Sequence, residues 1–427
     1  PRARDRGSPH VSSIDAASPR PRTLRLVRPD DRRVVRRARA DVRTRRTIAL
    51  LLGSTAFLVG TGVVMVLSAS SVSAFAEYGD SFIFVQRQAA YAVVGVLACY
   101  LTSRMRYDAW KRLAGPFLVV TFAMLVLVLI PAHGIEAYGS SRWFRFGPVT
   151  VQPSELAKLA LVVFGAATLA RKWKRLDDVR EIALPLLPMS VVLCGLVMMQ
   201  PDLGTTVILA TTMFFLAFAA GVRLRYLTLA GVVGALVGAG LIMSADYRRV
   251  RFLAFLHPWD DAKSGGYQLV QSLIALGSGG WTGVGLGASR QKWLYVPNAH
   301  TDFIFSILGE ELGLIGEVVV LLAFGGLIVA GIRIATRTTD VFGRLLAAGI
   351  VSWFGLQALI NLGAVTGLLP VTGVPLPFLS YGGSSLVVSL AAVGVLVSIA
   401  RAPARRSATS EKTRGAGSPR SRRGAPG

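Results

Sequence analysis

The chain has 427 residues, 52% of them hydrophobic and 16% charged, yet its formal net charge is +24. A soluble globular domain is about a quarter charged, so the composition argues against one, and a nucleic-acid-binding domain this basic would not also be this apolar. Charge and apolar residues occupy different stretches: residues 1–46 hold 15 Lys/Arg against 5 Asp/Glu and 401–427 hold 8 against 1, so the two ends carry +17 of the total.

Those ends are rich in Arg, Pro, Gly and Ser, cannot bury enough apolar surface to fold alone, and read as disordered tails. Beside a membrane block they are explained more simply as cytoplasmic anchors near anionic lipid than as nucleic-acid-binding arms. The first apolar run follows 46 polar residues and is too long for a signal-peptide core, so no cleavable signal is expected.

A helix crossing hydrocarbon needs about 20 apolar residues. Ten stretches qualify: 47–69, 84–103, 113–132, 153–171, 183–200, 203–221, 227–245, 303–332, 345–367 and 385–400. The fifth and sixth are separated only by Pro201-Asp202, a tight turn, and the eighth is long enough to tilt or bend. Ten spans place both ends on one side, and 37 of the 47 Lys/Arg fall there, which makes that side cytoplasmic. The expected fold is an all-α polytopic membrane protein of about ten transmembrane helices with cytoplasmic termini. Its parts are the basic tail 1–46, a membrane domain 47–400 with a large extracellular loop 246–302 before helix eight, and the basic tail 401–427. No convincing internal repeat of the transporter kind occurs. Cys99 and Cys194 both sit in apolar stretches, which excludes a disulfide framework, and neither an HExxH nor a CxxC metal motif is present.

Three external segments stand out: 133–152, 246–302 and 368–384. The middle one is long for a connection. Its DYRRVRFLAFLHPWD mixes Arg with Phe, Leu and Trp as an interfacial segment does, and its GSGGWTGVGLG packs six glycines into 277–287, suiting a close backbone turn. Ionisable residues inside spans are functional candidates by default. Glu155 and Lys158, three apart in span four, read equally as a self-neutralising pair or as a Lys facing an outward cavity to bind an anionic substrate. In span eight Glu310 and Glu317 share a face and Glu311 points elsewhere. All three need partners from other helices, and structural pairing is the favoured reading for Glu311 and Glu317. Asp202 reads as a helix cap. Asp302, at the external mouth beside Phe303 and Phe305, reads equally as a cap for span eight or as a desolvated carboxylate suited to general base catalysis.

GSSRWFRFGPVTVQPSELAKLALV, QPDLGTTVIL, GYQLVQSLIALGSGGWTGVGLGASRQKWLYVPNAHTDFIFSILGEELGLIG and NLGAVTGLLPVTGVPLPFLSYGGSS resemble the SEDS family (FtsW/RodA/SpoVE) over roughly 47–400. PNAHTDFIFSILGEELG and the long tails resemble the division-specific FtsW branch more than the elongation-specific RodA branch. The resemblance implies a ten-helix peptidoglycan glycosyltransferase that polymerises lipid II outside the cytoplasmic membrane of a bacterium, concentrated at the division septum. It also implies a class B penicillin-binding protein and other divisome proteins as partners, and no nucleic acid. The family's essential carboxylate maps onto Asp302, which favours catalysis over capping there. Its other elements map onto Arg142-Trp143, Gln152 to Lys158 (Ser154 and Glu155 among them) and Ser380 to Ser384.

On this reading Asp302 is the base for the acceptor 4-hydroxyl. Arg142, Lys158, Arg248 and Lys292 are candidates to hold the diphosphates, Lys158 foremost. Gln268, Gln271, His300 and Glu310 complete the substrate-binding candidates. No cofactor is firmly expected and no residues form a dedicated metal site, although a divalent cation, magnesium or manganese, would suit the diphosphate. The rival readings are a lipid II flippase, an elongation polymerase and a non-enzymatic scaffold whose tails recruit division proteins.

Overall fold

Hydrocarbon offers backbone N–H and C=O groups no partner, so the apolar stretches must satisfy them as helices. The computed structural model describes residues 29–130, 135–137, 140–147, 149–175, 178–293 and 299–416. By contact the chain divides into Pro1–Arg43 and Thr44–Gly427. The elements run α1 (Pro29–Tyr78), α2 (Ile83–Arg104), α3 (Tyr107–Val128), β1 (Ile135–Ala137), β2 (Ser140–Phe146), β3 (Val149–Val151), α4 (Pro153–Arg171), α5 (Val179–Met199) and α6 (Leu203–Ala219). After these come α7 (Leu224–Met243), α8 (Asp246–Leu256), α9 (Tyr267–Gly279), α10 (Ile304–Arg337), α11 (Val341–Val365) and α12 (Gly383–Ala416).

All ten expected spans are helices. Eight are long and apolar enough to cross a membrane, and α5 and α6 contribute the shorter apolar stretches Ala183–Met199 and Leu203–Ala219. The chain is therefore an all-α polytopic membrane protein. Among the described residues α1 reaches back to Pro29 and α12 runs on to Ala416, within the two basic tail segments. Arg is a good helix former, and extending an existing helix avoids the cost of a new nucleus. The long segment 246–302 before the eighth span carries the short helices α8 and α9.

Local signals explain the boundaries. Asp178, Asp202 and Asp340 cap α5, α6 and α11, each accepting a backbone N–H of the first turn at 2.9–3.0 Å. Pro153 opens α4. Between α3 and α4 the strands form a small antiparallel sheet in the order β1-β2-β3, with Trp143 opposite Ile135 and Phe144 opposite Val151.

The bundle is layered by burial. In α4, 83% of the spanning window is buried, against 6% in α7, so α4 is an inner helix and α7 a peripheral one facing lipid. Helices α11 and α12 are also mostly buried and share one apolar core with α4 and α6, to which Trp353, Phe354, Leu390, Leu396, Leu161 and Leu216 belong. At the end of the bundle away from Asp302, cations cluster as the charge count requires: Lys172 pairs with Glu181 at 2.7 Å, and Arg344 stacks over Trp173 at 4.5 Å.

The long eighth span is broken. At Gly313 the backbone turns to φ 64°, which interrupts the helical ladder of α10. The loop after α9 supplies what the break leaves open. Val284 and Gly285 donate their N–H groups to the carbonyls of Glu310 and Glu311 at 3.0 Å each, while Leu314 and Ile315 donate to the carbonyls of Gly280 and Trp281 at 2.9 and 3.2 Å. Only glycines permit this approach. A Cβ on Gly283 would collide with the Glu311 carbonyl, and one on Gly313 would lie 2.6 Å from the Trp281 carbonyl carbon. The glycine-rich run thus makes the close turn its composition suggested. The break also ends the seven-residue register between Glu310 and Glu317.

Gly313→Ala is expected to destabilise the protein by about 1–3 kcal/mol, through a strained positive φ and the collision with the loop. Thermal unfolding in detergent measures this against Gly325→Ala in the same helix, where added bulk meets nothing within 4 Å. Equal melting temperatures for the two variants would mean that the break is not held by the loop.

Candidate active site

Asp302 stands immediately before α10. The helix begins after Phe303, which makes no side-chain cap, so Asp302 is not the N-cap that was one reading of it. Its main chain is pinned by α11: the Asn361 side-chain amide donates to the Asp302 carbonyl at 2.8 Å and to the Val374 carbonyl at 2.7 Å. The carboxylate points at the 368–384 segment, where a Cβ on Gly373 would lie 3.5 Å from its Oδ2. The residue is half-buried, so solvent reaches it while most of its hydration is lost.

That environment sets its acidity. Burial is the main cause of an Asp302 pKa raised to about 6, with Arg251 opposing it, Asp202 adding to it and Arg142 opposing it. Arg251 of α8, Asp202 at the head of α6 and Arg142 of β2 thus all act electrostatically on Asp302. Asp202 is the cap of α6, as expected, accepting from the Thr205 N–H at 2.9 Å. Arg142, from β2, donates to the carbonyls of Gln200 and Pro201 at 2.8 Å each, which fastens the sheet to the α5–α6 turn. Next to Asp302, burial lowers the His300 pKa to about 4. The neutral ring stacks on Phe84 at 4.9 Å and meets Tyr381 edge-on at 5.6 Å.

The cations singled out from sequence are engaged by protein acceptors. Lys158 is 2% exposed, lies 2.8 Å from both oxygens of Glu155 and 3.0 Å from Gln357 Oε1, and sits over the Trp353 ring. Of its two readings, the geometry matches the self-neutralising pair; the ammonium does not face an outward cavity. Lys292 is buried, donates to the Gly287 carbonyl and faces Glu311 at 3.7 Å. Arg248 donates to the Leu241 carbonyl at 2.8 Å, tying α8 to the end of α7.

Glu310 and Glu311 find their partners mainly in the loop rather than on other helices. Glu310 accepts from the Ser289 hydroxyl and from the Arg290 and Gln291 N–H groups at 2.9 and 3.4 Å. Glu311 accepts from Ser68 of α1 at 2.6 Å and pairs with Lys292.

The remaining candidates scatter around this centre. Ser380 Oγ accepts the Leu376 N–H at 2.8 Å, and Ser384 Oγ accepts the Gln152 N–H at 3.2 Å, so both hold backbone. Ser154 is fully buried, with no hydrogen bond to its hydroxyl among the described residues. Trp143 and Gln271 are half-buried on β2 and α9. Gln268 lines an open cleft of about 460 Å³ with Arg251, Tyr267, Asp246 and Ser264. Sequence reasoning passed over Asn361, Gln357 and Arg251. The first two lie four apart on one face of an apolar span, a visible sign of buried polar glue. Arg251 lies one turn beyond Arg248, on the same face. Among the described residues no group of three His, Cys, Asp or Glu converges to hold a metal ion, so a divalent cation would have to be shared with substrate phosphates.

Comparison with known proteins adds independent findings. Residues 49–405 match the model of the cell cycle protein family FtsW/RodA/SpoVE. Stage V sporulation protein E of Bacillus subtilis is 44% identical over 352 residues, 82% of this chain and 96% of that protein. The "probable peptidoglycan glycosyltransferase FtsW" of Geobacter metallireducens is 44% identical over 83% of this chain and 94% of its own length. Among solved structures, a chain of a peptidoglycan synthase complex that coordinates polymerization and crosslinking matches with TM-score 0.69 at 30% identity, covering 82% of this chain and 97% of that one. The rod shape determining protein RodA of Thermus thermophilus matches with TM-score 0.61 at 29% identity, covering 82% and 95%.

The Glu155–Lys158 pair yields a test. Lys158→Met leaves Glu155 buried without its countercharge and is expected to cost about 3–5 kcal/mol, whereas Glu155→Gln/Lys158→Met together should recover most of it. Thermal unfolding of the three proteins in detergent decides, and a stable Lys158→Met single variant would contradict the pairing.

Proposed function

The chain belongs to the cell cycle protein family of FtsW, RodA and SpoVE, and from that membership we infer a peptidoglycan glycosyltransferase that polymerises lipid II. The reaction is placed on the outer face of the cytoplasmic membrane, where the charge asymmetry puts Asp302. Septal action beside a class B penicillin-binding protein and other divisome proteins is part of the same reading. The synthase complex supports it, because a chain of the same fold works there where polymerization and crosslinking are coordinated.

One observation carries the chemistry: a carboxylate at the mouth of the bundle whose pKa is lifted to about 6 by burial. A base is most useful when its pKa lies near the working pH, because it is then ionised yet still basic. Asp302 takes the proton of the acceptor sugar 4-hydroxyl. The freed oxygen attacks the donor anomeric carbon as the bond from that carbon to the diphosphate oxygen breaks, with inversion, and undecaprenyl diphosphate departs carrying the electron pair. A diphosphate leaves as an anion and needs a general acid less than a sugar alkoxide does, so one carboxylate suffices. Cationic neighbours stabilise the charge that develops on the leaving group. The amide of Asn361 fixes the base against the 368–384 segment, so the carboxylate is oriented before substrate arrives.

The flippase reading is weaker here. A transporter needs matched features on both faces, whereas the sheet, α8, α9 and the converging charges all lie at the Asp302 end.

Asp302→Asn is expected to insert and fold, to make no glycan from lipid II, and to melt no lower than wild type at pH 7.5. The last point follows from linkage. A carboxyl whose folded pKa is raised stabilises the fold only while protonated. That contribution is complete below about pH 4 and lost as pH rises through about 6, so above pH 6 the ionised group is a burden that Asn removes. Substantial polymer from this variant would remove Asp302 as the base. In the wild type the rate should climb through about pH 6 to a plateau; a flat profile from pH 5 to 8 would contradict the raised pKa.

A further inference from the structure

The four cations expected to hold diphosphate are each held by acceptors of the protein itself: Arg142 by the α5–α6 turn, Lys158 by Glu155 and Gln357, Lys292 by Gly287 and Glu311, and Arg248 by the end of α7. Arg251 differs. It is exposed on α8, and among the described residues no carboxylate or carbonyl closes on its guanidinium. It lines the open cleft between α8 and α9 with Tyr267, Gln268, Ser264 and the carboxylate Asp246, which Arg249 pairs at 3.3 Å, and it is near enough to Asp302 for the two charges to interact.

The depth of α8 suits an anionic headgroup. Val250, Leu253 and Leu256 of this helix and Trp259 just beyond it are exposed. On a membrane protein such residues sit at the boundary between acyl chains and headgroups, where an Arg on the same helix reaches lipid phosphate. A planar guanidinium with its fork of donors unspent is also the group best matched to phosphate oxygens.

We propose that Arg251, with Gln268 and Tyr267 beside it, forms the subsite that holds the phosphate-bearing headgroup of the lipid substrate next to Asp302. The assignment rests on the glycosyltransferase reading above. It moves the diphosphate contact from the buried Lys158 to an exposed residue on an interfacial helix. Arg251 then serves twice: it binds the anionic headgroup, and its charge favours the ionised form of the base.

The test uses the full chain in proteoliposomes, with glycan synthesis measured against lipid II concentration and pH. Arg251→Ala should raise the apparent KM about tenfold or more, the loss of a charge-assisted contact, with a smaller change in maximal rate. It should also move the acidic limb of kcat/KM to higher pH, since Asp302 loses a stabilising cation. Arg251→Lys should keep the pH profile and recover part of the affinity. Arg249→Ala, which breaks only an exposed pair with Asp246, should resemble wild type. An unchanged KM and acidic limb in Arg251→Ala would overturn the subsite.

Membrane phospholipid offers the same phosphate chemistry. The comparison is therefore repeated in phosphatidylcholine vesicles with and without phosphatidylglycerol. A KM defect that persists in phosphatidylcholine alone assigns the contact to the substrate, and one that appears only with phosphatidylglycerol overturns it. Failure of the base assignment is read separately, as glycan made by Asp302→Asn. That result would leave the Arg251 affinity difference measurable.

Discussion

A helix broken inside an apolar bundle leaves backbone groups that lipid cannot satisfy, and the α10 break at Gly313 is the constraint around which the active end is organised. Its open carbonyls and N–H groups are met by the glycine-rich loop from the end of α9, so the loop is locked to the helix by backbone alone. The same docking brings Ser289, the N–H groups of Arg290 and Gln291, and Lys292 onto the side chains of Glu310 and Glu311. The short segment Ile304–Leu312 is thereby held from both sides. Asp302, two residues before it, inherits that rigidity.

Buried charge is compensated in related ways. An ionised group away from water is tolerated only with a countercharge, hydrogen bonds or both, and among the described residues Glu310 relies on hydrogen bonds alone. Glu155 has Lys158, Glu311 has Lys292, and Gln357 completes the first pair while also donating to the Pro375 carbonyl. Helix α11 therefore does two related jobs. Gln357 braces the inner ion pair, and one turn further Asn361 braces the main chain of Asp302 and the segment facing it. At the mouth, among the described residues, lie a carboxylate with a raised pKa and a guanidinium open to the cleft. Chemistry is expected where pairing is incomplete, because those groups still have interactions to offer a substrate.

Much of this was legible in the chain. The ten spans follow from twenty-residue apolar runs, their sidedness from Lys and Arg, and the cap at Asp202 from residue type and position. The close turn at 277–287 follows from six glycines, since few other uses require so many. Asp302 was visible as a carboxylate flanked by aromatics at a span end, but only the structure showed that α10 starts without it as a cap. What the chain did not show is pairing. Lys158, Lys292 and Arg142 were candidate ligands as cations on or near the external side, but which acceptors engage a cation depends on residues 58 to 199 positions or only 3 to 5 positions away, often on backbone carbonyls. The shared face of Glu310 and Glu317 assumed an unbroken helix.

The sequence by itself determined which segments enter the membrane, in which direction, and which residue types could do acid–base and anion chemistry, because those follow from transfer energies and charge that each segment carries alone. Only the tertiary structure decided which charges are spent. Pairing is a property of two or more segments brought into contact, and no periodicity or composition records it. That is why the same chain that announces its topology conceals that Lys158 is internal mortar, and that Arg251, one turn past a more obvious arginine, is the cation left facing the cleft beside Asp302.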